Sequence, residues 1–379
     1  MLFYTFQIRC GKPVVAKVVK ELTDKTFPYH EKKSIFSLVN YAMPLMALAF
    51  ACASCGEKGS GPGPDPDPGE GGDGDVEVPS TPSYNFQGEA YITKVLDFMP
   101  APGQFTNTLP AYAEGDDQEA MNQKVLNAIG NNKRGMISLG GFGGYVIVGF
   151  DHTIENKAGL RDFRVLGNAY KNSSEPGVII VALDRNQNGQ PDDDEWYEIA
   201  GSAHQKAFQE SWYAAARENG NDVDIHRNYE ITYFRPSQEP TTQEEKDTYI
   251  RWEDNLGQAG YLLKNAYHSQ PYFPQWFEGD RMTIKGTCLP QNSIPNGAIF
   301  ELQAFTYGYA DNVANTDVEA SIDIDWAVDA SGEKVSLPGI DFVKIYTAVN
   351  QVNGWIGECS SEITGVEDLH MLKEEIPTR

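Results

Sequence analysis

V-I-I-V-A-L (178–183), D-R-N-Q-N-G-Q-P-D-D-D-E (184–195) and W-Y-E-I-A (196–200) follow one another without a break. The first and last pieces are short, rich in β-branched and aromatic residues, and read as strands. The piece between carries side-chain oxygens at its positions 1, 3, 5, 9 and 12, namely Asp184, Asn186, Asn188, Asp192 and Glu195, with Gly189 at position 6. That is the spacing of a calcium loop, in which the Gln190 carbonyl at position 7 adds a ligand and glycine allows the tight turn. Such loops are usually held between helices, but here Pro191 stands at position 8 and the flanks are strand-like. The expectation is calcium on a strand-to-strand loop, with a structural role because the protein saturates the ion. The alternative is an acidic turn without metal, since Asn-Gly and Asp favour hairpin turns in any case.

The same short-strand grammar continues outward. Strand signals fall at 91–98, 136–139, 145–150, 163–169, 229–234, 281–286, 298–305, 320–328 and 340–349, separated by Gly, Asn and Pro. Apolar residues at helical spacing predict helices over 116–129, closed by Gly130, and over 204–217. The fold class expected is mostly β: a jelly-roll-like β-sandwich with a long inserted loop and helix region. It forms a single domain over 84–379, with the insertion at about 204–280 and its 235–280 part read as a ligand-facing loop set.

The chain of 379 residues has a net charge of −24, which repels phosphate backbones and argues against a nucleic-acid partner. Lys32 and Lys33 precede an apolar run with Pro44 inside it that ends in small residues at Cys55, the pattern of a lipoprotein signal peptide over residues 1–55. Residues 1–30 add nothing such a segment needs, and the expectation is a start site further along. Cys55 is the expected lipidation residue and Cys52 the competing one. Residues 56–83, rich in Gly, Pro and Asp, have no apolar pattern and read as a disordered tether. Cys288 and Cys359 remain beyond the leader, and an exported compartment permits a disulfide between them; two buried thiols are the alternative.

L-G-G-F-G-G-Y (139–145) precedes a strand rather than following one, and no Walker lysine accompanies it. It reads as close backbone packing, not a phosphate cradle. The segment 231–280 holds ten aromatic residues interleaved with Asn, Gln, His and Pro. Trp252, Asn255, Tyr267, His268, Tyr272 and Trp276 are the ligand-binding candidates, because aromatic platforms beside amides suit sugar rings and other flat amphipathic ligands. Packing of a long loop onto the sandwich is the competing reading. No catalytic motif is present: H-E-x-x-H and G-x-S-x-G are absent, the histidines lack zinc spacing, and neither Asp323/Asp325 nor Glu253/Asp254 can be singled out as a glycosidase pair.

F-M-P-A-P-G-Q-F (98–105), S-L-G-G-F-G-G-Y-V-I-V-G-F-D-H (138–152), D-F-R-V-L-G-N-A-Y (162–170), S-S-E-P-G-V-I-I-V (173–181), N-G-Q-P-D-D-D-E-W-Y-E-I-A-G-S (188–202), W-E-D-N-L-G (252–257) and I-D-F-V-K-I-Y-T-A-V-N-Q-V-N-G-W-I-G-E (340–358) together resemble a family of Bacteroidetes surface lipoproteins, often labelled "cell surface protein" or "PKD-domain protein". The resemblance spans 91–372 and, more distantly, extends to jelly-roll, discoidin-like secreted domains. It implies an outer-membrane position facing the extracellular side, a TonB-dependent receptor as partner, and for some members an association with corrinoid (vitamin B12) uptake. It brings no catalytic residues. The function expected is a lipid-anchored, calcium-stabilised surface protein that captures a nutrient, either a glycan or a corrinoid, and performs no chemistry. A glycoside hydrolase is the alternative of a different class.

Overall fold

The computed structural model describes residues 83–297 and 299–379, the side chain of Trp355 excepted. The leader, Cys55 and all of the tether but Ser83 lie outside the described residues. Strand exceeds helix, 34% against 14%, and the strands form several antiparallel sheets, so the fold is mostly β and β-sandwich-like. Strands of four or more residues are numbered here: β1 Lys94–Met99, β2 Tyr145–Glu155, β3 Phe163–Leu166, β4 Gly177–Ala182, β5 Trp196–Ile199, β6 His226–Phe234, β7 Ile250–Asp254, β8 Ala259–Leu262, β9 Arg281–Cys288, β10 Ser293–Asn296, β11 Ile299–Leu302, β12 Gly339–Thr347 and β13 Gly365–Asp368.

A six-stranded sheet runs β1-β2-β12-β4-β5 and ends on the two-residue strand Ala327–Val328. β12 lies at its middle, where Val343 sits opposite both Val148 and Val181, and Ile345 opposite both Val146 and Ile179. Alternate side chains leave opposite faces of a strand, so each face builds its own core. Val343, Ile345, Ile179 and Val181 enter one apolar cluster, while Tyr346 and Val178 enter the other. Burial on both faces is why 178–183 is an unbroken apolar run rather than an alternating one. β12 carries Ile340 and Val343 into the same core although they differ in parity, because a bulge between Ile340 and Phe342 resets the alternation.

The first core is closed by α1, Gln118–Ile129, and by a small sheet of Ser321–Ile322, β3 and β13. Met121, Val125 and Ile129 of α1 recur every four residues and are fully or almost fully buried. Asp117 caps the helix by accepting the Ala120 N–H at 2.9 Å. The second core is closed by a four-stranded sheet, β8-β7-β6-β9. On β6, Tyr229, Ile231 and Tyr233 are buried, while Glu230 between them is exposed. The 235–280 part, expected as a loop set, instead carries β7 and β8 into this covering layer, and 263–280 is left as loop.

Two sequence expectations change. The helix over 204–217 breaks into α2, Ser202–Lys206, and α3, Tyr213–Glu218. Between them Glu210 is drawn inward to accept the Thr306 N–H and hydroxyl, and Trp212 donates to the Ala304 carbonyl at 2.8 Å. Tertiary bonds here override local periodicity. The segment 320–328 is not one strand. Ser321–Ile322 pairs with β3, a 3-10 turn follows at Ile324–Trp326, and Ala327–Val328 pairs with β5. Asp323 caps that turn by accepting the Asp325 N–H at 2.8 Å, which gives this acidic residue a structural task.

The glycine-rich 139–145 run is close backbone packing. A Cβ on Gly140, which has φ of +67°, would lie 2.1 Å from the Ala101 carbonyl oxygen, and one on Gly144 would lie 1.8 Å from that of Leu139. Cys288 and Cys359 are free, buried thiols that both belong to the second core. Burial pushes the Cys288 thiol up to about 12, which leaves it an inert apolar group.

Candidate ligand cavity

A cavity of about 460 Å³ opens where four loop segments converge: the turn after β1 (104–109), the β3–β4 connection (168–175), the loop at 265–268 and the stretch 356–362, with β11 alongside. That volume lies within the ~300–1,000 Å³ of small-molecule sites. Its mouth carries Tyr170 and Tyr267, which are 67% and 83% exposed. Phe105, His268 and Phe300 line it further, with the ring of His268 edge-on to Phe105 at 4.7 Å between centroids.

The polar floor is built around Ser360. Its N–H donates to Glu175 Oε1 at 3.0 Å and its hydroxyl to Glu362 Oε1 at 2.9 Å. Asp311, behind them, accepts the N–H groups of Asn168, Ala169 and Glu362 at 2.8, 2.9 and 2.9 Å. Oxygens of Glu175, Asp311 and Glu362 come within 4.8 Å of one another. None of the three, nor the neighbouring Glu358, makes a salt bridge among the described residues. Burial raises all four carboxyls above the ordinary range, and the negative charges of Asp311 and Glu175 add to the rise at Glu175 and Glu362 respectively.

The loop at 265–268 is pinned by Asn265. Its Nδ2 donates to Gln104 Oε1 at 2.6 Å, and its Oδ1 accepts the N–H groups of Tyr267 and His268 at 2.9 and 3.0 Å. Of the six aromatic-segment candidates, only Tyr267 and His268 reach the cavity. Tyr272 is fully buried in the second core, with Tyr249 edge-on to it at 5.3 Å. Trp276 stacks between Phe98 and Tyr112 and donates to Gln118 Oε1 at 3.0 Å. Trp252 lies on β7 packed against the second core, opposite Gly260. Asn255 closes the β7–β8 turn by bonding the Asn228 carbonyl at 2.7 Å and the Glu230 N–H at 3.1 Å. Those four serve the fold because tertiary packing takes up aromatic area and turn amides that the sequence pattern shows as free.

Sequence reasoning missed Tyr170, Glu175, Phe300 and Glu362. The usable signal was Glu175 in E-P-G immediately before a fully buried strand, and Glu362 in S-S-E-I, where an unpaired carboxylate is costly.

The Asp184–Glu195 loop joins β4 to a 3-10 turn, Asp193–Glu195, and then to β5, as its flanks predict. Asp184 Oδ1 accepts the Asn188 N–H at 3.0 Å, and Oδ2 accepts that of Gly189 at 2.7 Å. Glu195 folds back to accept the N–H groups of Arg185 and Asp192 at 2.8 and 3.1 Å. Gly189 takes φ of +79°, the left-handed turn that position 6 needs. Asp184, Asn186, Asn188, Asp192, Glu195 and the Gln190 carbonyl thus lie on one short turn, in which Asp184 and Glu195 accept backbone N–H groups of the turn itself.

The fold and this geometry define an antiparallel β-sandwich-like protein with a small-molecule-sized cavity walled by loops. No protein-family model matches the chain, and no curated protein matches it.

Proposed function

We propose that this chain is a ligand-binding protein for nutrient capture, lipid-anchored through Cys55 at the cell surface, with the cavity over Glu175 and Glu362 as its binding site. The observation that carries the reading is the pairing of exposed Tyr170 and Tyr267 at the mouth with a polar floor of buried Ser360 and Glu362 and half-buried Glu175. Exposed aromatic rings converging on one cavity offer flat apolar faces to a small ligand.

Capture without turnover is part of this reading, in which Glu175 and Glu362 are both tied to Ser360, which donates its N–H to the one and its hydroxyl to the other. Calcium at the Asp184–Glu195 loop would tie β4 to β5 at the edge of the main sheet, with no part in the chemistry. The resemblance to Bacteroidetes surface lipoproteins supports an outer-membrane position and a TonB-dependent receptor as partner. Among the described residues no helix is long and apolar enough to cross a membrane.

The test is titration calorimetry of the chain and its Tyr267→Ala variant with a glycan panel and with cyanocobalamin. Binding of either that weakens in the variant supports capture at this cavity. Turnover of a glycan, or binding indifferent to Tyr267, refutes it. Incorporation of labelled palmitate that is lost in Cys55→Ser checks the anchor.

A further inference from the structure

The cavity combines two features that seldom meet without reason. Its walls present aromatic rings, Phe105, Tyr170, Tyr267 and Phe300, and its floor presents two carboxyls, Glu175 and Glu362. No lysine or arginine lines it. Glu367, by contrast, is a buried acid that meets two cations, Arg134 and Arg164. Glu175 and Glu362 have no such partner among the described residues, and an acid withdrawn from water without a cation is drawn toward its protonated form.

Three ligand classes can be compared on this geometry. An anion meets two acids and no base. A divalent metal would take the oxygens of Glu175, Asp311 and Glu362 but would make no use of the aromatic walls. An ammonium group satisfies both features at once: carboxylates accept its N–H groups in charge-assisted bonds, and ring faces attract its positive charge.

We propose, resting on the reading of this cavity as the binding site, that its ligand is an organic ammonium ion, with the charged nitrogen seated against Glu175 and Glu362 and the carbon skeleton against Tyr170 and Tyr267. On binding, the carboxyl facing the ammonium ionises and its proton passes to solvent, so the cation replaces the proton as the balancing charge.

Titration calorimetry of the full chain at pH 7.5 with putrescine, phenethylamine, methyl α-glucoside and magnesium chloride tests this, repeated in two buffers of different ionisation enthalpy. Putrescine or phenethylamine should bind with an apparent enthalpy that changes between buffers. Glu175→Gln and Tyr267→Ala should each weaken that binding by about tenfold or more, the loss of one charge-assisted contact. The exposed Tyr267 keeps the test valid if Glu175→Gln proves unstable, which its melting curve shows. Binding of methyl α-glucoside alone, weakened by Tyr267→Ala, overturns the ammonium assignment and leaves the cavity reading intact. A response to magnesium alone also overturns it. No Tyr267-dependent binding by any of the four, or by the glycan panel and cyanocobalamin, overturns both.

Discussion

The backbone N–H of Gln104 donates to the carboxyl of Glu358 at 2.6 Å, joining residues 254 positions apart. The Gln104 side chain extends the link, donating to the Ile356 carbonyl at 2.8 Å and accepting from Asn265 at 2.6 Å. One residue thereby ties together three of the segments that wall the cavity. The bond is made deep in the protein, where Glu358 is 3% exposed and burial pushes its carboxyl from 4.5 up to about 7.

That shift makes stability depend on pH. The folded protein holds the Glu358 proton more tightly than the unfolded chain, so stability is highest at acid pH and is lost as pH rises from about 4.5 to about 7. Glu175, Asp311 and Glu362 shift in the same direction and act with the same sign. Glu358→Gln keeps a carbonyl oxygen for Gln104 and removes the titration. Its melting temperature should exceed that of the parent at pH 8, by an amount equivalent to as much as a few kcal/mol, and equal it near pH 5. A parent melting temperature that rises steadily from pH 5 to pH 8 would count against this.

Calcium should stabilise the fold through the Asp184–Glu195 loop. A cation bound only by the folded state adds about 2.7 kcal/mol at a concentration 100 times its dissociation constant. Differential scanning calorimetry with calcium and with chelator should show a higher melting temperature with the ion, and the difference should vanish in Asp184→Ala and in Glu195→Gln. Equal melting with and without chelator, and no metal by mass spectrometry, would leave an acidic turn.

Tyr272 and Tyr267 stand five residues apart in sequence and differ in everything else. Tyr272 is fully buried, whereas Tyr267 is 83% exposed. Tyr272→Ala should lower stability by about 3–5 kcal/mol, as for other large-to-small core changes. Tyr267→Ala should leave stability within about 0.5 kcal/mol. Urea unfolding of the two variants measures the contrast, and near-equal values would refute the placement of both residues.

Gly140 is held at φ of +67° with the Ala101 carbonyl 2.1 Å from where a Cβ would stand. Gly140→Ala should cost more than about 2 kcal/mol, from left-handed strain together with the clash against backbone. Gly159, also at positive φ, meets nothing within 4 Å. Its alanine variant should lose about 1–2 kcal/mol from strain alone, and urea midpoints for the pair separate the two effects.

Cys288 and Cys359 should resist a thiol reagent in the native protein and react together on unfolding, because both are buried and burial raises both thiols. A colorimetric thiol count before and after guanidinium reads this. Titration of either thiol at its free-solution rate would contradict the packing.

Local chemistry made part of this protein readable in one dimension. Period-2 and unbroken apolar runs marked β2, β4, β6 and β12, helical spacing over 116–129 closed by Gly130 marked α1, and oxygen spacing around Gly189 marked a strand-to-strand loop. These features depend on neighbours within one turn or one strand, so the order of residues suffices to determine them. The cavity floor is of another kind. Glu175, Asp311 and Glu362 meet only because β3 and β4 lead one loop, β12 leads another, and the 305–312 turn brings Asp311 beneath both. The same applies to the aromatic segment, where an identical interleaving of rings and amides places Tyr272 in a core and Tyr267 in solvent. Burial is a property of how layers pack, and only tertiary structure decides which side of a layer a loop residue finally faces.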